Sequence, residues 1–514
     1  MSILATFNSA RASLLAQSRA LNITSNNIGN VNTPGYTRVR PVMLPIPATS
    51  GDLPVGGGSS VDSVQRVVDA TIDLQLHRER QLLAFDEQLE RGLSSIEGVF
   101  EELGGTGITA ALSSLFASFG DLANDPGNST VRESVLQSAQ NLLSLVQDTD
   151  RRLAQQQLDA NNQIAQSVTE VNVIAADLAQ LNRQIFAVEG SGTTDEASTL
   201  RDQRAELLAD LAGHIDFSFF ERDDGTISVF LGSGVLLVDS EVAAQLQVQP
   251  GAPGNPVFFD IYHSLEGSLN GPITSTITGG RIGAAIELRD NGLRSYRDSL
   301  DEFAFTLARR INDEHYGPLP PPPPGDAFGL VDDQSRRFFV DGGVAATPEG
   351  ADFALIGGAA SRITLHADIQ ADTRHIAAGA VSLGVGLGAA AGDNQNALDL
   401  AAIELDNSAF FQLNRDPVTG LEIPPGVAPT GTAHTLGSFF NSVSGRLGAE
   451  LQGSRRALAQ EELVVSELEQ RRAAISGVSI DEEVANLIRF ERAYQAAARI
   501  IQDVDELLGI LMQV

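Results

Sequence analysis

Residues Ser25–Arg38 read SNNIGNVNTPGYTR, and the fold turns on how this stretch joins a helical segment to an extended one. Upstream, Ile3, Phe7, Ala10, Leu14, Leu21 and Ile28 recur at alternating steps of three and four, with Gln17 and Thr24 filling two slots. That is the stripe of an amphipathic helix, close to a coiled-coil seam. The helix must stop before Pro34, because the residue preceding a proline is pushed towards extended geometry. After Asn32 and Thr33, Pro34-Gly35 supplies the two central positions of a tight turn, with Gly35 free to take a positive φ. From Tyr36 the chain reads as a strand.

The far end mirrors this pattern. Ser479-Ile480-Asp481-Glu482 predicts a capping box, Ser479 capping and Glu482 reaching back. Asp481, Glu482 and Glu483 fall in the first turn, where the helix dipole favours negative charge. Ile480, Val484, Leu487, Tyr494, Ala498, Ile501, Leu508 and Met512 then keep the four-three rhythm, broken by Glu491 and Asp505. Residues 1–40 hold four arginines and no acid, whereas residues 480–514 hold three arginines against seven acids. Opposite charge on two long amphipathic segments favours their pairing, within or between subunits. The expected assembly interface is therefore Ile3, Phe7, Leu14, Leu21 and Ile28 with Ile480, Val484, Leu487, Tyr494, Ile501 and Leu508. Asn22, Asn26 and Asn30 form an i, i+4 ladder beside the stripe and are expected to set register between subunits, as polar residues do in a coiled-coil seam; a solvated face is the alternative.

SNNIGNVNTPGYTR resembles the N-terminal signature of the flagellar axial proteins, the family of rod, hook and hook-associated subunits. Gly29 stands where the family pattern has Ala, at up to about 1 kcal/mol in the last helical turn. The stretch VSIDEEVANLIRFERAYQAAARII, residues 478–501, is similar to the C-terminal signature of the hook-associated branch. Rod and hook proteins share the AYQA portion but normally lack the paired Glu482-Glu483 in this frame. The resemblance implies a structural, non-enzymatic subunit at the hook–filament junction, self-assembling through its terminal helices and adapting hook to filament. It implies an extracellular location on the bacterial flagellum, reached by type III export without a cleaved signal peptide. The implied partners are a ring of like subunits, the hook protein, the second junction protein and an export chaperone on the C-terminal helix. A hook or distal-rod subunit is the alternative within the family. A flagellum-borne hydrolase or adhesin in the middle domains is the alternative from another class.

Composition narrows the classes further. A chain of 514 residues is too long for one domain, and its length suggests about three or four. Its net charge of −32 argues against a nucleic-acid partner. Every basic residue other than histidine is Arg, which removes Schiff-base and P-loop lysines. There are no cysteines, so thiol catalysis, thiolate metal sites and disulfides are excluded. The N-terminus lacks the basic patch and continuous apolar run of a Sec-type signal, and no run is long and apolar enough to span a bilayer.

Along the chain, Val39–Val64 reads as extended chain and loop, and Val67–Leu103 as a helix ended by Gly104-Gly105. A short helix around Ile108–Leu122 comes next. Thr130–Val188 is the longest helical reading, with Thr130 and Glu133 as a second capping box and a length of roughly 90 Å. Glu196–Ala212 is expected to fold back on it. The period then changes: Phe217, Phe219 and Ile227–Leu231 flank the hairpin signal Asp224-Gly225. Ile286, Leu293, Leu300 and Leu307 return at seven-residue steps. Pro318–Pro324 reads as a stiff spacer, and helices return at Asn396–Leu405 and Leu436–Ile475. The expected architecture is α+β, elongated and multidomain. Terminal coiled-coil helices with the adjoining extended segment occupy 1–65 and 476–514. A helical body takes 66–213, 281–315 and 393–475, with a β domain at 214–280 and a second inserted domain at 316–392.

Chemistry is sparse. The seven histidines are scattered, with none three or four positions from another, so no metal cluster is indicated. HExxH, GxSxG, a strand-to-helix GxGxxG and calcium-loop spacing are all missing. Neither a catalytic centre nor a cofactor is expected. His77, beside Arg78 and Arg80, reads as a solvated residue.

Overall fold

The computed structural model describes residues 3–47, 56–100, 107–190, 194–232, 234–251, 257–265, 267–316, 329–331, 335–344, 350–384, 386–415, 422–424 and 431–511. The glycine pair at 104–105 and the proline run lie outside these. Helix α1 (Ile3–Gly29) leads into strands β1 (Val39–Pro45) and β2 (Ser59–Arg66). These strands pair antiparallel, Val39 opposite Arg66, so the stretch read as extended loop is a hairpin. It lies against α1 so closely that a Cβ on Gly58, at φ +97°, would come within 2.5 Å of the Ser9 carbonyl oxygen. Only glycine fits there.

Helices α2 (Ala70–Phe100), α3 (Ile108–Asn124), α4 (Ser129–Gly190) and α5 (Thr194–His214) come next. At 62 residues, α4 runs about 93 Å at 1.5 Å per residue. Its cap is Asn128, whose Oδ1 accepts from the Thr130 backbone N–H at 2.9 Å. The expected Thr130–Glu133 box therefore starts two residues too late. A four-stranded antiparallel sheet, β3 (Phe217–Glu221), β4 (Ile227–Leu231), β5 (Val235–Asp239) and β6 (Val242–Ala243), adjoins a three-stranded one, β7 (Gln245–Pro250), β8 (Phe259–Leu265) and β9 (Ser268–Pro272). Gly225 takes φ +78° in the β3–β4 hairpin, as the Asp-Gly signal predicts. Helices α6 (Gly280–Glu287) and α7 (Leu293–His315) are joined by one wide π turn. Short helices α8 (Ala359–Arg362), α9 (Ala367–Ala371) and α10 (Gln395–Ala402) precede the long α11 (Leu436–Ser476) and α12 (Ile480–Leu511).

Two apolar cores are strung along α4. The first joins its N-terminal half with α3, α7 and the first part of α11, and it takes in Phe338, Phe339, Ile356, Ile363, Ile369 and Ile376. The segment expected as a separate inserted domain thus contributes to the body's own core. Its strands pair only two by two, too few to support independent stability. Packed as irregular chain against helices, it had no period to read. The second core joins the C-terminal half of α4, from Ile164 to Ala179, with α5, α6 and the two sheets. Leu293, Leu300 and Leu307 of the seven-residue series fall in the first core, while Ile286 packs against the second.

His77 corrects another expectation. It is buried, with its ring centroid 5.7 Å from that of Phe219 and 6.1 Å from that of Phe217. Burial, reinforced by Arg80 and Arg472, pushes its pKa down to about 4. An unfolded chain takes this proton below its ordinary value of 6.5, the folded one only below about 4. The stability present above pH 6.5 is therefore lost as the pH falls towards 4. His77→Leu is expected to remove up to about 3 kcal/mol of that loss. Denaturant unfolding of both proteins at pH 7.5 and pH 4.5 checks it, because groups titrating oppositely, such as Asp301 with its raised pKa, cancel in the difference. Equal pH slopes in the two proteins would contradict the assignment.

Candidate functional site: the joint of the terminal helices

Helices α1 and α12 pack lengthwise against each other, and Ser25–Arg38 forms their joint with the body. The chain leaves α1 through a turn in which the Tyr36 N–H reaches the Thr33 carbonyl at 3.3 Å. Gly35 sits at φ +76°, the conformation that the second central position of a Pro-Gly turn requires. Thr37, Arg38 and Val39 then lie among α5, α11 and α12. The Thr37 N–H donates to Asp202 Oδ2 at 3.1 Å, and the Arg38 N–H donates to the carbonyl of Ser476 at 2.9 Å. The Arg38 guanidinium bridges both glutamates of the C-terminal signature, Glu482 at 2.6 Å and Glu483 at 2.8 Å. Arg66 ties β2 to Asp202 at 2.5 Å.

The centre of the joint is Asn27, 1% exposed. Its Nδ2 donates to the Val39 carbonyl at 2.8 Å and to Glu483 Oε2 at 3.1 Å. Its Oδ1 accepts from the Tyr36 hydroxyl at 2.8 Å and from the Val39 N–H at 3.2 Å. All four hydrogen-bonding capacities of the amide are used, and they connect α1, the turn, β1 and α12. Burial, with Asp202 and Glu483 nearby, pushes the Tyr36 phenol up to about 12, so it remains a donor. Glu483 is 2% exposed; a carboxylate so placed needs its partners, and Arg38 and Asn27 supply them.

Sequence reasoning placed the neighbouring asparagines here and missed Asn27. Asn22 and Asn26 are exposed, and Asn30 donates from Nδ2 to Asn26 Oδ1 at 2.7 Å. Asn26 and Asn30 are therefore paired within one chain. Glu482 does not close a capping box either; it crosses to Arg38. One row of the expected α12 stripe, Val484–Glu491–Ala498–Asp505, is displaced by one residue. The buried positions of α12 are Glu483, Ala497 and Val504, those of α1 Ala10, Ala16, Ala20, Ile23, Thr24 and Asn27. In α12 this seam runs one residue before Val484, Glu491, Ala498 and Asp505, which is why two of those slots held acids. The buried face of α1 also carries the β1–β2 hairpin, with Gln17 against Met43 and Gly58 against Ser9. Ile3, Phe7, Leu14, Leu21, Ile28, Leu487, Tyr494 and Ile501 are half-buried. Leu15, Ile480, Val484, Ile488, Ile500, Leu507, Leu508 and Ile510 are exposed. The break at Glu491 and Asp505, traced one residue back, was the available signal.

Among the described residues, no group of three His, Asp or Glu is placed to hold a metal, and no helix is long and apolar enough to cross a membrane. The joint is built for connection, and chains of known identity share its parts. A model described as the helical domain of the flagellar hook-associated protein FlgK matches residues 93–317. Models of the rod, named flagella basal body rod protein and flagellar basal body rod FlgEFG protein C-terminal, match residues 7–37 and 469–514. The chain is 26% identical to flagellar hook-associated protein 1 of Bacillus subtilis, covering 97% of this chain and 96% of that one. It is 25% identical to the proteins of that name from Salmonella typhimurium and Escherichia coli, covering 99% of each chain in both comparisons. The solved flagellar hook junction protein FlgK from Burkholderia pseudomallei shares the fold, with a TM-score of 0.61 at 15% identity, over 78% of this chain and all of that one. The chain is similar to flagellar hook-associated protein 1 over nearly its whole length and is a structural component of the bacterial flagellum.

Proposed function

We propose that the chain is the subunit that seats on the hook at its junction with the filament, and that the α1–α12 pair is its assembly element. The observation that carries this reading is the exposed apolar set on an otherwise finished helix pair. Leu15, Ile500, Leu507 and Ile510 are 57%, 43%, 51% and 61% exposed, on helices that already pack lengthwise against each other. An amphipathic helix in isolation is marginal in water, and each Leu or Ile fully buried on assembly contributes about 1.5–3 kcal/mol. Packing against neighbouring copies and the hook subunits below buries what the single chain leaves outside. The same exposed α12 surface is what an export chaperone covers before assembly, and type III export delivers the chain to the flagellar tip outside the cell. The body and the β region of residues 214–280 then stand outside the terminal-helix tube and adapt hook to filament, with the second junction protein above.

The test adds purified protein to isolated hook–basal bodies, beside a version lacking residues 482–514, and scores hook tips by electron microscopy. A short zone that saturates, and that is lost on truncation, is expected. Elongation that continues with added protein would make this a hook-type subunit, and absence of binding would refute the assembly role.

A further inference from the structure

A cavity of about 320 Å³ opens where α2, α5 and β3 meet, beside the end of α11. That is within the range of small-molecule sites. Leu74, Leu208 and Phe219 give it an apolar wall. Five arginines line it against two carboxylates, an inversion in a chain with 34 basic and 66 acidic residues. Three of the five are committed to neighbours, Arg66 to Asp202, Arg204 to Glu221, and Arg201 to Glu189 and Glu221. The other two are less so. Arg80 gives Nη2 to Glu469, and Arg472 gives Nε to Asp73. A guanidinium carries five N–H donors, and these two side chains are 26% and 27% exposed.

From this combination we infer that the cavity is a binding site for an aliphatic monocarboxylate, its chain against Leu74, Leu208 and Phe219 and its carboxylate held by Arg80 and Arg472. Arginine is the side chain suited to a carboxylate, through paired charge-assisted hydrogen bonds. The apolar wall supplies the part of the affinity that a simple ion would lack. The net charge of −32 on the chain as a whole disfavours ligands of higher negative charge.

The experiment is calorimetric titration of the full chain with decanoate, below the concentration at which it self-associates, beside the neutral decanamide. Saturable one-to-one binding of decanoate is expected, at least tenfold weaker for the amide. The same loss is expected for the Arg80→Gln/Arg472→Gln double variant, with its thermal unfolding midpoint checked against the parent. Ala209→Phe, which fills the cavity from α5, is expected to abolish binding. No saturable heat up to about 1 mM, the regime of only ~4 kcal/mol of affinity, would overturn the proposal. So would equal binding of acid and amide, or undiminished binding by the folded double variant.

Discussion

Alanine in place of Asn27 is expected to uncouple the terminal helices while leaving the body folded. The substitution strands the Tyr36 hydroxyl, both backbone groups of Val39 and one oxygen of Glu483, all of which the amide now serves. A buried polar group left without its partner costs about 1–3 kcal/mol, and a buried charge deprived of part of its cage costs more. Water entering the space left by the side chain offsets some of this, so about 3 kcal/mol is expected for the joint. That corresponds to a loss of protection on the order of 100-fold, at 1.4 kcal/mol per factor of ten. Amide hydrogen exchange over Glu483–Phe490 and over Ala20–Ile28 reads it directly. The two large cores along α4 include no residue of α1 or α12, so exchange within α4 is expected to stay as in the parent. Asn26→Ala is the control: its side chain is exposed and accepts only from Asn30, just past the end of α1, and a surface change of this kind stays within about 0.5 kcal/mol. Equal effects of the two substitutions would remove Asn27 from the centre of the joint.

The contrast between those two asparagines marks the limit of what the chain discloses as a string. Element existence was legible wherever one period held for several turns, as in α2, α4, α11 and α12, or wherever backbone chemistry forces a conformation, as at Pro34-Gly35 and Asp224-Gly225. The pairing of the ends was legible too, from amphipathic stripes of opposite charge. The face was not. A stripe drawn through the largest apolar residues assumes that these are the most buried, yet Ala16, Ala20 and Ala497 are, and α1 also carries the β1–β2 hairpin. Leu15, Ile500, Leu507 and Ile510, off that stripe, are the exposed residues left for packing that a single chain cannot contain. Asn27 was invisible for a related reason: an amide inside a seam has the same letters as an amide on a solvated face, and its partners lie 12 and 456 residues away. Likewise His77, flanked by arginines in sequence, is enclosed by Phe217 and Phe219, which no local pattern reports. Residues 316–392 misled in the opposite sense. Lacking a period, they read as a separate unit, although Phe338, Phe339 and Ile363 complete the body's core.

Glutamate at both Ile500 and Leu507 is expected to leave the single chain intact and to abolish its incorporation at hook tips. The two positions lie seven residues apart, hence stacked on one side of α12 two turns from each other. At 43% and 51% exposure, neither belongs to the seam with α1, and surface substitutions away from such features change stability by no more than about 0.5 kcal/mol. Thermal unfolding of the variant should therefore match the parent. Assembly is different. Each side chain fully buried against a neighbour contributes about 1.5–3 kcal/mol, so losing both removes ~3–6 kcal/mol per subunit contact, a factor of roughly 10² to 10⁴. Placing two carboxylates in a dry interface adds a desolvation cost in the same direction, and α12 already carries more acids than arginines. Scoring hook–basal bodies by electron microscopy, with the variant and the parent at equal concentration, separates the two surfaces of α12. Loss of tip binding with an unchanged midpoint assigns Ile500 and Leu507 to contacts between subunits. Retained binding would mean that assembly runs through the α1 side of the pair, where Leu4 and Leu15 are the exposed large residues.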